Sequence, residues 1–184
     1  MNKLFAILSI LIFSCQGFDK KTNEPDALYN YDVEERLIQL GIELEEMKPP
    51  QGLSIELAVR KGDLIYLSGN GPRFNDGQQI EGKVGEDLTV AEGYEAARLT
   101  AINHLSVLKS EIGDLNKVVK VIKVFGMVNA PSTFTEHPKV INGYSDVLIE
   151  VFGERGKHAR SAVGMSSLPW DLACEVEAIV QIQD

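Results

Sequence analysis

The chain has 184 residues, 24% of them charged and 44% hydrophobic, with a formal net charge of −9 at pH 7. That length and balance fit one globular domain large enough to bury a real core. Nucleic-acid binding draws most of its affinity from Lys and Arg neutralising phosphates, so 18 basic against 27 acidic side chains argue against an RNA or DNA partner.

Lys3 precedes an apolar run from Leu4 to Phe13 interrupted by Ser9 alone. The run is too short to cross a bilayer and has the form of a secretory core, so residues 1–14 are expected to be a signal peptide. Ile12-Phe13-Ser14-Cys15 resembles a bacterial lipobox, in which the Cys is acylated and becomes the mature N-terminus. The resemblance implies an exported lipoprotein attached to the membrane by lipid on Cys15, facing the periplasm or held at the outer membrane. An ordinary cleaved signal with an incidental Cys is the alternative. Residues 15–30 then read as a polar, lipid-anchored linker and 31–184 as the domain. Removal of residues 1–14 takes away Lys3 and no acid, leaving 17 basic and 27 acidic side chains and a charge of −10. With Cys15 acylated, Cys174 has no disulfide partner within the chain, and its apolar neighbours predict that it is buried.

Val33, Leu37, Leu40 and Leu44 recur at helical spacing, which predicts a helix over 32–44. Ile55 to Arg60 and Leu64 to Ser68 flank Lys61-Gly62-Asp63 and form a predicted hairpin. Residues 69–87 are a Gly-rich loop with a short strand near Ile80. Thr89 and Glu92 form a capping box that opens the longest helix, whose stripe runs Val90, Tyr94, Ala97, Ala101, Leu105, Leu108 and Ile112 before Gly113 stops it. A strand over 118–128, a loop over 130–138, a helix over 140–152 and strands over 161–167 and 171–183 complete the order. The expected fold is α+β, one mixed six-stranded sheet covered on one face by two helices.

In the last strand Leu172, Cys174, Val176, Ala178, Val180 and Ile182 alternate with Ala173, Glu175, Glu177, Ile179, Gln181 and Gln183. Strand side chains alternate between faces, so Glu175 and Glu177 stand on the face that the helices leave open. Arg160 lies on the preceding strand, across the single turn at Leu168-Pro169-Trp170-Asp171, and the two strands are expected to be adjacent. A guanidinium fork that grips a carboxylate, beside a Glu that moves protons, is the pattern of a small anionic-substrate site. Taken alone, two acids on an outer strand face are a solvated surface, and a lone Arg is solvated or ion-paired. His104, His137 and His158 are scattered without metal-ligand spacing, and no P-loop, dinucleotide fingerprint or Ser or Cys nucleophile motif is present. No metal and no cofactor are expected.

The run His158-Ala159-Arg160-Ser161-Ala162-Val163-Gly164, then Leu168-Pro169, then Glu175-Val176-Glu177-Ala178-Ile179, resembles the C-terminal signature of the RidA/YjgF family of reactive imine deaminases, also called L-PSP endoribonucleases. Ser68-Gly69, Val84-Gly85, Asn103-His104-Leu105, Ile141-Asn142-Gly143 and Phe152-Gly153-Glu154 extend the likeness to its endoribonuclease L-PSP/chorismate mutase-like branch, from about Glu34 to the C-terminus. The resemblance implies a chorismate mutase-like homotrimer with sites in clefts between subunits. It also implies that Arg160 holds a substrate carboxylate, that Glu175 acts through a water on an imine carbon, and that Asn142 and the backbone at Gly69 line the cleft. Deaminating members carry a Tyr before the first strand and a Cys two residues after the Arg, where this chain has Ile55 and Ala162. Three readings follow: a hydrolytic deaminase of imine or enamine carboxylates, a non-catalytic trimer that binds small acids, and an endoribonuclease, which the net charge disfavours.

Overall fold

The computed structural model describes residues 28–49 and 52–184. The expected signal peptide and Cys15 lie outside the described residues. Of the expected linker only Leu28 to Asn30 is described, and these residues pack with the domain: the Tyr29 hydroxyl donates to the Val118 carbonyl at 2.6 Å and its ring meets Phe152.

Helix α1, Val33–Gln39, starts where the Asp32 carboxylate accepts from the Glu34 and Glu35 amides. It ends earlier than the apolar spacing predicts, because Gly41 turns the chain at a φ of +67°. Strands β1, Ala58–Lys61, and β2, Leu64–Asn70, form the expected hairpin across Gly62-Asp63, with Gly62 at a φ of +63°. The sixth strand expected near Ile80 does not form, and the described residues make a sheet of five strands. The loop there makes only isolated bridges, Arg73 to Gln79 and Glu81 to Leu172, because Gly82 and Gly85, at φ of +110° and +95°, turn the chain before a ladder can grow.

Helix α2, Val90–Ile112, begins with the predicted reciprocal Thr89–Glu92 box and ends at left-handed Gly113. Its buried arc is wider than one stripe, since Ala96, Thr100, Asn103, His104 and Val107 are buried as well. The helix touches the sheet on one side and α3, His137–Phe152, on another. The two helices meet at Gly143, where a Cβ would fall 2.0 Å from the Tyr94 carbonyl oxygen, so only glycine permits this approach. Helix α3 starts three residues before its predicted start because Pro138 sits in the first turn, where a proline needs no amide partner.

Strands β3, Val118–Asn129, β4, Ala159–Met165, and β5, Cys174–Ile182, finish a sheet of order β1-β2-β5-β3-β4. Strand β4 runs parallel to β3 through the α3 crossover, and β5 inserts antiparallel between β2 and β3. Two expectations are corrected here. β4 and β5 are not adjacent, because β3 lies between them, and β5 begins after Asp171 because Trp170 and Asp171 both take left-handed backbone, at φ of 54° and 57°. From Cys174 onward the alternation is as read from the sequence, with Cys174, Val176, Ala178, Val180 and Ile182 buried under the helices; Ala173, expected on the open face, lies before the strand and is buried as well. On the opposite face, with Val59, Tyr66, Phe125, Ile179 and the two glutamates, no helix of the described residues covers the sheet.

Candidate functional site

The predicted site residues fall into two groups. The first is built around Glu175. Strand β2 shifts register against β5 between Leu67 and Asn70, and Gly69 lies within that irregularity. A Cβ on Gly69 would stand 2.2 Å from Glu175 Oε1, so the carboxylate lies directly on the glycine backbone. Behind it, buried His104 ties the elements together. Its Nε2–H donates to the Ser68 carbonyl at 3.0 Å, which leaves Nδ1 to accept the Tyr144 hydroxyl at 2.7 Å. Burial lowers the His104 pKa to about 4, so the ring is neutral at ordinary pH.

Glu175 opens into a cavity of about 340 Å³ walled by Ile55, Leu57, Trp170 and Leu172, with Asn70 and Arg73 among its polar residues. The left-handed turn that puts Trp170 there is held by Asn129, whose amide donates to the Asp171 carboxylate at 2.8 Å, and by the Gly82 amide on the Asp171 carbonyl at 2.7 Å. Half-burial, and secondarily the charge of Glu177, push the Glu175 pKa above its ordinary value. Among the described residues no cation pairs with it. A carboxylate whose pKa is raised in this way is a stronger base than an exposed one. Ile55, in the place of the expected Tyr, faces the same cavity and offers no hydroxyl.

The second group surrounds Arg160 on β4. Its Nη1 donates to Asn142 Oδ1 at 3.0 Å and to Ser145 Oγ at 2.9 Å, and Nη2 leans on the Pro138 carbonyl at 3.4 Å. His158 Nδ1 is 2.6 Å from the Gly156 carbonyl, so that nitrogen carries the hydrogen, and Nε2 accepts the Ser145 hydroxyl at 3.1 Å. The Ser145 hydroxyl hydrogen is thereby committed to His158, and a lone pair faces Arg160. Burial is the main cause that holds the His158 pKa below its ordinary value, which keeps the acceptor role in place.

The two groups do not meet within one chain. Arg160 is level with Val124 and Ala178, both buried under the helices, whereas Glu175 is level with Met127 and Val163 on the open face. They therefore stand on opposite faces, two strands across and three residues along, roughly 10 Å in each direction at ~4.8 Å per strand and ~3.3 Å per residue. Structure brings Gly69 to Glu175 and Asn142 to Arg160, as the resemblance implies, but it separates the pairs. Sequence reading missed Ser145 and His158 as partners of Arg160. Both carried a signal, because Ser145 follows Asn142 by one helical turn and His158 precedes Arg160 by two residues, the period that returns an extended chain to the same side.

Residues 34–182 match the family model described as YjgF/chorismate mutase-like, putative endoribonuclease. The chain belongs to this family. Protein TCP17 of Trypanosoma cruzi is 39% identical over 153 residues, covering 83% of this chain and 95% of that relative. Among solved structures, Atu1372 from Agrobacterium tumefaciens, a protein of unknown function, has 40% identity and a TM-score of 0.74, covering 82% of this chain and 94% of that one. A Shewanella oneidensis MR-1 protein described as a putative endoribonuclease has 32% identity and a TM-score of 0.78, covering 83% and 100%. The YjgF fold, with its helices on one face of a mixed sheet, accounts for the open sheet face and the exposed edge of β4.

Proposed function

We propose that this YjgF-family chain is a hydrolytic deaminase of small imine or enamine carboxylates, working at sites formed between copies of itself. The observation that carries the reading is the Glu175 carboxylate, half-buried, unpaired and seated on the Gly69 backbone. Arg160 holds the ligand carboxylate with the donors that Asn142 and Ser145 leave free. Glu175 takes a proton from water as the water oxygen bonds to the imine carbon. The C=N π pair moves to nitrogen, which takes that proton; the second water proton then passes from the carbinolamine hydroxyl to nitrogen, the C–N bond breaks as C=O forms, and ammonia and a 2-ketoacid leave.

Because Arg160 and Glu175 of one chain stand on opposite faces, the site needs Arg160 from one copy and Glu175 from another. A homotrimer supplies this pairing, and the open face with Val59, Tyr66, Phe125 and Ile179 provides an apolar surface for it. Purified protein incubated with freshly generated 2-iminopropanoate is expected to release ammonia and ketoacid above the buffer rate, and light scattering is expected to give a trimer mass. No release, or a monomer at micromolar concentration, overturns the reading. The second reading, a trimer that binds small acids without turning them over, is favoured by Ile55, which removes a hydroxyl from the Glu175 cavity.

The Arg160 arm has its own expected result. Arg160→Ala mainly weakens ligand binding, and Arg160→Lys, lacking the planar fork, does not fully restore it. Ser145→Ala removes one hydrogen bond that fixes the guanidinium and raises KM about 2- to 10-fold with kcat little changed. Steady-state kinetics of the three variants check this. A fall in kcat at unchanged KM would show that Arg160 does not serve binding.

A further inference from the structure

The Glu175 cavity holds a guanidinium, that of Arg73, which the deamination just proposed does not use. Arg73 lies in the loop after β2, and that loop is clamped from behind: the amide of buried Asn103 on α2 donates to the Gly71 and Arg73 carbonyls at 3.1 and 3.0 Å. The guanidinium is held as well. With the Gln79 amide turned to satisfy its neighbours, Arg73 Nε and Nη2 both donate to its oxygen at 3.0 Å, which leaves Nη1 unspent. Gln79 is neutral, and among the described residues no carboxylate forms an ion pair with Arg73. A fixed guanidinium edge, uncompensated by protein and set beside an apolar wall of Ile55, Trp170 and Leu172, matches the planar anionic end of a ligand.

We propose that Arg73 is a second anion-binding residue of the composite site, so that the ligand is a dicarboxylate: one carboxylate on Arg160 of one copy, the other on Arg73 of the copy whose Glu175 faces the reacting carbon. The inference rests on the proposed site between copies, with Arg160 as the first carboxylate holder. Lys48, the other cation at this cavity, leans on Glu46 at 3.8 Å with its side chain largely in solvent, and has no part in the assignment.

The test is calorimetric binding to the full-length protein of 2-oxoglutarate and 2-oxopentanoate, which share a five-carbon 2-oxo chain and differ by a second carboxylate in place of a methyl. The expected result is a preference for 2-oxoglutarate of about tenfold or more, the scale of hydrogen bonds to a charged group. Arg73→Gln brings the 2-oxoglutarate affinity down to that for 2-oxopentanoate. Arg73→Lys, which retains charge without the fork, restores it in part, and Arg160→Gln weakens both acids. Equal wild-type affinities, or a preference that survives Arg73→Gln, overturn the assignment of Arg73 while the Arg160 reading stands. An Arg160→Gln variant that binds both acids normally overturns the Arg160 reading instead, and binding of neither acid by the wild type overturns both.

Discussion

Glu175→Gln is expected to lower turnover of 2-iminopropanoate by about 10²-fold or more, the ordinary scale of a lost general base, while ligand binding is retained. The amide keeps the volume and polarity of the side chain but cannot take a proton from water. Because burial and Glu177 hold the Glu175 pKa above its usual value, the wild-type rate falls as pH drops through that raised pKa, when the base becomes protonated. Glu177→Gln removes the neighbouring charge and moves this acidic limb to lower pH, with a smaller effect on the rate near neutrality. Gly69→Ala supplies an independent check. Its backbone conformation is open to alanine, yet the added Cβ lands where Glu175 Oε1 now sits, so the fold survives and the carboxylate is displaced. Wild-type rates in both Glu175→Gln and Gly69→Ala would mean that this face is a polar surface and no more.

Acid is expected to destabilise the domain by about 3 kcal/mol through His104 alone. The folded ring has a pKa of about 4 and the unfolded ring the ordinary histidine value of 6.5, and each tenfold difference in proton affinity corresponds to about 1.4 kcal/mol. The folded pKa is the lower one, so the unfolded chain binds the proton more readily. Stability from the neutral ring is complete above pH 6.5 and is lost progressively as pH falls toward 4. Protonation abolishes the Nδ1 acceptor that receives the Tyr144 hydroxyl, in a site with no water-exposed alternative. His104→Gln retains an amide that can donate to the Ser68 carbonyl and has nothing to titrate. Urea midpoints measured from pH 7 to pH 4 are therefore expected to fall more steeply in the wild type than in this variant. Parallel curves would show that His104 is not the titrating group.

Much of the fold was legible locally. The Thr89–Glu92 box, the Gly113 stop, the Gly62 hairpin and the period-two burial of β5 all depend on residues a few positions apart, and each formed where its chemistry predicted. The errors have local causes too. Pro138 reads as a loop residue until it is placed in a first helical turn, where its missing amide costs nothing. The strand near Ile80 has the right side chains and pairs at single points with Pro72 and Ala173, but the positive-φ glycines that follow keep it to isolated bridges.

By itself, the sequence determined on which face of its own strand or helix each candidate side chain stands, because helical and strand periods are properties of the backbone over a few residues. Only the tertiary structure decided which of those faces meet. The insertion of β3 between β4 and β5 is a pairing of strands far apart along the chain, and no local period encodes it. That one choice puts Arg160 with Asn142 and Ser145 beside α3, and Glu175 with Gly69 and Arg73 on the far side of the sheet. A single pocket read along the sequence thus became two groups of side chains on opposite faces of the sheet, with strand β3 between them.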